Sequence, residues 1–198
     1  MLTGRKLPRS FYQRPVLVVA RDCIGKVLVH RTPQGIAAGR IVECEAYRGP
    51  EDRAAHSWRG RTKRTEAMFG PPGRVYMFML YGTSWAFNIV VGQEGEPHAI
   101  LVRAIEPVEG IDLMSERRQL PPSSRTLTNG PGKLCQALDL NRIHYGHDLC
   151  GADLFLRDGH RGPVARSARI NIDYAGTWAA RPWRFTERGN RFISVRPR

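Results

Sequence analysis

The chain has 198 residues with 31 Lys+Arg against 18 Asp+Glu, a formal net charge of +13. That length supports one substantial core and a single domain over 1–198. An excess of cations that are mostly arginine suits a polyanionic partner, because the guanidinium makes bidentate phosphate contacts. No segment approaches the ~18 uninterrupted apolar residues of a membrane span, and the N-terminus MLTGRKLPRSFYQRPVLVVARD lacks an apolar signal region. A cytoplasmic protein without a membrane partner is the expectation. Cys23, Cys44, Cys135 and Cys150 form no CxxC pair, so free thiols are expected rather than a disulfide framework.

In chain order, VLVVARDCI reads as a helix ended by Gly25, and KVLVHRT as a strand closed by the turn PQG. GIAAGRIVECEAYRG alternates as a strand does, with Val42, Cys44 and Ala46 on one face and Glu43, Glu45 and Tyr47 on the other. Residues 50–74, rich in Gly, Pro, Arg and Thr, form a long ordered loop with a helical turn at EDRAAHS or RTEAMF. RVYMFMLYGTSWAFNIVV reads as two strands joined near YGTS, with Gly82 supplying the tight turn. HAILVRAIEP is a further strand, EGIDLMSERRQL and GKLCQALDL are helices, and LFLRDG and ARINIDY are two more strands. LPPSSRTLTNGPG is an internal loop. The fold class is mixed α+β with a mainly antiparallel sheet.

Two carboxylates at i and i+2 on a strand serve as an acid/base pair, a metal pair or a solvated face answering nearby arginines. Tyr47 on the same face and His56 beyond a Gly-Pro turn add rings that can stack on a planar ligand beside an acid. Tyr81, next to Gly82 at the hairpin tip, is harder to bury than Phe78 or Phe87. On a basic protein such an exposed ring suits a wedge driven between base steps. HYGHDLC spaces His144, His147 and Cys150 like metal ligands, but a structural zinc needs four and no fourth stands nearby, so no metal is expected. The zinc-deaminase signature, the phosphate loop and the nucleophile elbow are absent.

IVECEAYRGPEDRAAHS, MFGPPGRVYMFMLYG, FNIV, LVRAIEP, GPGKLCQAL and AGTWAARPWRF, in this order from about residue 8 to the end, resemble the alkyladenine (3-methyladenine) DNA glycosylase family. The resemblance implies one mixed α/β domain on a curved antiparallel sheet with a protruding hairpin. It also implies a monomer without metal or other cofactor that acts on double-stranded DNA containing damaged purines, in bacteria at the nucleoid. Glu45 matches the family's general base, which activates the water that attacks C1′, and Arg103 matches an arginine that helps hold that water. Tyr47 and His56 match residues that sandwich the flipped base, Phe78 stands where the family has a pocket tyrosine, and Tyr81 matches the intercalating wedge. Asn88 matches the asparagine that rejects the exocyclic amine of guanine, and Ile170 a position whose carbonyl helps bind the water. Glu43 takes a supporting role. Arg61, Arg64 and Lys133 are the candidates for contacts with the DNA backbone. The activity implied is monofunctional release of alkylated or deaminated purines by base flipping, leaving an abasic site. The alternatives are a lyase using the Lys133 amine and a non-catalytic damage-recognition or architectural binder.

Overall fold

The computed structural model describes residues 4–195. Helix α1 (Arg9–Tyr12) leads into α2 (Val16–Cys23), whose buried Val16, Val19, Ala20 and Cys23 fall at i, i+3, i+4 and i+7 and form one apolar stripe. Gly25 follows with φ +89°, and a Cβ there would lie 2.5 Å from the His160 carbonyl, so only glycine makes this exit from the helix. The chain then enters β1 (Val27–Thr32) and the long β2 (Gly35–Arg48).

Strand β2 is the spine of the sheet. On one side it pairs with β5 (His98–Glu109), and on the other its first half pairs with β1 and its second half, from Glu43 to Glu45, with β8 (Arg184–Glu187). The hairpin of β3 (Val75–Leu80) and β4 (Ser84–Val91) adds to β5, β6 (Leu154–Arg157) adds to β1, and β7 (Val164–Ser167) pairs with β8. All of these pairings are antiparallel. Helices α2, α3 (Ile111–Arg118) and α4 (Pro131–Ala137) contribute Val19, Met114 and Leu134 to the main apolar cluster, together with Ile41, Cys44, Phe87 and Ile100 of the sheet. Among the described residues, no helix is long and apolar enough to cross a membrane.

The structure corrects the sequence reading at three places. Val42 does not share a face with Cys44 and Ala46. The register against β5 shifts between Ile41 and Cys44, so Val42 packs with Ala104 and Phe192 while Ile41, Cys44 and Ala46 join the main core. ARINIDY is not a strand. β7 ends at Ser167, Arg169 turns inward, Asn171 takes a left-handed φ of 57°, and a 3-10 segment begins at Asp173. The third correction is β8, a four-residue strand within PWRFTE that supplies the partner for both β7 and the middle of β2. The long loop carries its helical turns at His56–Arg59 and Glu66–Phe69.

Gly39 in β2 faces Ile105 so closely that an added Cβ would lie 2.5, 2.8 and 2.9 Å from its Cδ1, Cγ1 and Cβ atoms. Gly39→Ala is therefore expected to destabilise the fold by about 1–3 kcal/mol through overpacking. Urea unfolding measures this, and an unchanged midpoint would show that the sheet yields at no cost.

Candidate active site

The bulges that displace Val42 also bring Glu43, Glu45 and Arg103 together. Both carboxylates are fully buried, and Arg103 of β5 spans them, with Nε donating to Glu43 Oε1 at 3.2 Å and Nη1 to Glu45 Oε2 at 3.3 Å. Burial opposes the charge of Arg103, but the Glu45 and Glu43 carboxylates more than offset it and raise its pKa. Glu43 also accepts from Arg184 Nε at 2.8 Å and from the backbone and hydroxyl of Ser194. Those donors tie Glu43 to β8 and to the C-terminal segment. It is a structural anion.

Glu45 is held differently. Its Oε1 accepts the Ile170 backbone N–H at 2.8 Å, and its Oε2 accepts the Tyr47 hydroxyl at 2.8 Å besides Arg103. A carboxylate has about four lone-pair directions, so these three donors leave one. Burial and the adjacent Glu45 charge raise the Tyr47 pKa well above the ordinary phenol value, so Tyr47 stays a donor. Tyr47, Arg103 and Ile170, the three groups around Glu45, line a cavity of about 480 Å³.

The cavity walls come from the long loop and from β3. His56 meets Phe78 edge to face with centroids 4.4 Å apart, and Tyr76 stacks on Phe78 at 5.8 Å. The Tyr76 hydroxyl is 2.9 Å from His56 Nδ1 and fixes the ring. Tyr76 escaped the sequence reading, although its spacing of two from Phe78 was the available signal. Asn88 of β4 is buried at the same wall, its Nδ2 donating to the Tyr76 carbonyl at 3.1 Å.

Asp52 and Arg169 were also missed, and no local signal marks them, since 117 residues separate them. Their side chains form a bidentate ion pair with no exposed surface. Arg169 further donates to the Ala46 carbonyl at 2.9 Å and lies over the Tyr47 ring at 4.7 Å. This pair anchors the segment that presents the Ile170 N–H to Glu45.

Tyr81 stands at the hairpin tip, 86% exposed, with φ 49° beside Gly82 at φ 73°. Arg64 is exposed at the cavity rim. Arg61 lies over Phe69 at 4.8 Å with Glu66 at 3.7 Å, and Lys133 donates to Asn129 Oδ1 at 2.9 Å. In HYGHDLC, His144 caps its own turn through Asn141, and its Nε2 lies 3.2 Å from His30 Nε2. Among the described residues, no three His, Cys, Asp or Glu side chains are grouped to hold a metal.

An antiparallel sheet carrying a buried, donor-held carboxylate beneath an aromatic-walled cavity is an arrangement with room for a planar group beside an acid. Comparison with known proteins gives the family. A family model for Methylpurine-DNA glycosylase (MPG) matches residues 10–191. A protein of Anaeromyxobacter dehalogenans is 50% identical over 96% of this chain and 86% of its own length, and its name reads "Putative 3-methyladenine DNA glycosylase". Proteins of the same name from Desulfitobacterium hafniense and Methanocella arvoryzae are 45% and 44% identical, over 97% and 96% of this chain and 100% and 96% of their own lengths. The chain belongs to the methylpurine-DNA glycosylase family and is a DNA glycosylase, a hydrolase of N-glycosyl bonds.

Burial, aided by the charge of Arg64, pushes the His56 imidazole down to about 4. The folded value lies below the ordinary 6.5, so the unfolded chain binds the extra proton first, and this contribution to stability is lost as pH falls from about 6.5 towards about 4. NMR titration of His56 should give a midpoint near 4, and a midpoint near 6.5 would contradict the half-buried, neutral ring.

Proposed function

We propose that the cavity takes a damaged purine flipped out of duplex DNA, and that the chain acts over its whole length as a monofunctional glycosylase leaving an abasic site. The observation that carries this reading is Glu45, fully buried and held by three donors that themselves line the cavity, with one lone-pair direction remaining. A volume of about 480 Å³ suits one nucleoside-sized group.

In this mechanism Glu45 accepts a proton from a water as the water oxygen bonds to C1′, and the N-glycosidic bond breaks with its electron pair going to the base. Arg103 and the Ile170 backbone position the carboxylate and the water, which removes the entropic cost of bringing the reactants together. Negative charge at Glu45 also stabilises the oxocarbenium-like sugar. Methylation at N3 or N7 makes the purine cationic, so it leaves as a neutral base without an acid. Stacking that cation between Tyr47 and His56, with Phe78 beside them, adds a cation–π attraction of about 0.5–2 kcal/mol for the aromatic faces. Neutral lesions such as hypoxanthine require protonation of the base as well.

Asn88 is tied to main-chain carbonyls and cannot swing away, so the exocyclic amine of an undamaged guanine collides with it. Tyr81 fills the gap left in the duplex, which offsets part of the unstacking cost of about a few kcal/mol. Arg64, Arg61 and Lys133 meet phosphates. The Glu66 partner of Arg61 is no obstacle, because an exposed ion pair contributes only about 0–1 kcal/mol.

Glu45→Gln keeps the shape of the side chain and removes its basicity. Excision from methylated duplex should fall at least about a hundredfold while lesion-duplex affinity stays nearly intact. Release of free base at the wild-type rate would remove Glu45 from this role.

A further inference from the structure

Large exposed apolar side chains scattered singly are ordinary on a protein surface. Two tyrosines at one cavity mouth are not. Tyr174 is 72% exposed and lines the same cavity as Tyr81, itself 86% exposed.

The two rings are presented on different supports. Tyr81 rides the β3–β4 turn, whereas Tyr174 projects from a short platform whose inner side is packed. Its neighbours Ile172 and Ala175 are buried with Ala54, and the Asp52–Arg169 ion pair anchors the chain just before them. The backbone is thus held while a ring that could bury about 150–250 Å² stays largely in solvent. No packing role accounts for it. Cavity-lining residues come from both sides, Leu80 and Tyr81 from the hairpin, and Asn171 and Tyr174 from the platform. The cavity thus has one exposed tyrosine on its hairpin side and one on its platform side.

We propose that Tyr174 is a positioning residue that packs its ring against the sugar of the extruded nucleotide at the cavity mouth, opposing the wedge at Tyr81. This rests on the reading that the cavity receives a flipped nucleotide. Asp173, exposed beside it, disfavours a phosphate at the Tyr174 hydroxyl, so the ring face is the contacting surface. The ring acts on the flipped state only, because in stacked DNA the sugar lies in the backbone and away from the mouth.

Single-turnover excision from a methylated duplex by wild type, Tyr174→Ala and Tyr174→Phe tests this, with thermal melting as the control for folding. Tyr174→Ala should slow excision by about tenfold, or about 1.4 kcal/mol, even at saturating enzyme, while Tyr174→Phe stays within about threefold of wild type. Melting temperatures should match. A Tyr174→Ala rate equal to wild type, or a Tyr174→Phe rate as slow as that of Tyr174→Ala, overturns the inference alone. A wild type that releases no base overturns it together with the function on which it rests.

Discussion

The site depends on one cation shared by two buried anions. Glu43 and Glu45 stand two residues apart on β2 with no exposed surface, and Arg103 and Arg184 are the cations that balance their charge among the described residues. Removing one partner of such a buried pair typically costs about 3–5 kcal/mol. The register shifts in β2 and β5 allow the arrangement. Ala104 leaves the main core face beside Val42 while Ile105 takes its place there, and Arg103, on the other face of β5, reaches both carboxylates.

From that centre the two carboxylates diverge in use. Glu43 is committed to Arg103, Arg184 and Ser194 and holds the C-terminal segment onto the sheet. Glu45 accepts from three donors, Tyr47, Arg103 and Ile170, and so keeps one acceptor direction. The Asp52–Arg169 pair supports the second group. It sets Ile170 over Glu45, places a guanidinium on the Tyr47 ring and bases the platform of Tyr174. Structural ion pairs thus position a site in which few groups are left free to react.

What was legible in the sequence follows from local periodicity. The α2 stripe at 16, 19, 20 and 23, the β3–β4 hairpin around Gly82 and the exposure of Tyr81 follow from spacing and turn chemistry. The residues matched through the family resemblance, Tyr47, His56, Phe78, Asn88, Arg103 and Ile170, lie around one cavity, with Glu45 beneath its lining. Alternation failed at Val42 because a bulge is decided by the partner strand, and at ARINIDY because Arg169 turns inward to an aspartate far away in sequence. Arg184 and Ser194 escaped for the same reason, their shared partner Glu43 lying more than 140 residues away.

The proposed reaction is hydrolysis of the bond between a damaged purine and its sugar with water as the nucleophile. Incubating the protein with duplexes that each carry one 3-methyladenine, 7-methylguanine, hypoxanthine or ethenoadenine, with borohydride present in a parallel set, tests it most directly. Free base and an intact abasic strand are expected from at least the methylated purines, with no protein–DNA adduct trapped. Binding without base release, or a covalent adduct through an amine such as Lys133, would contradict it.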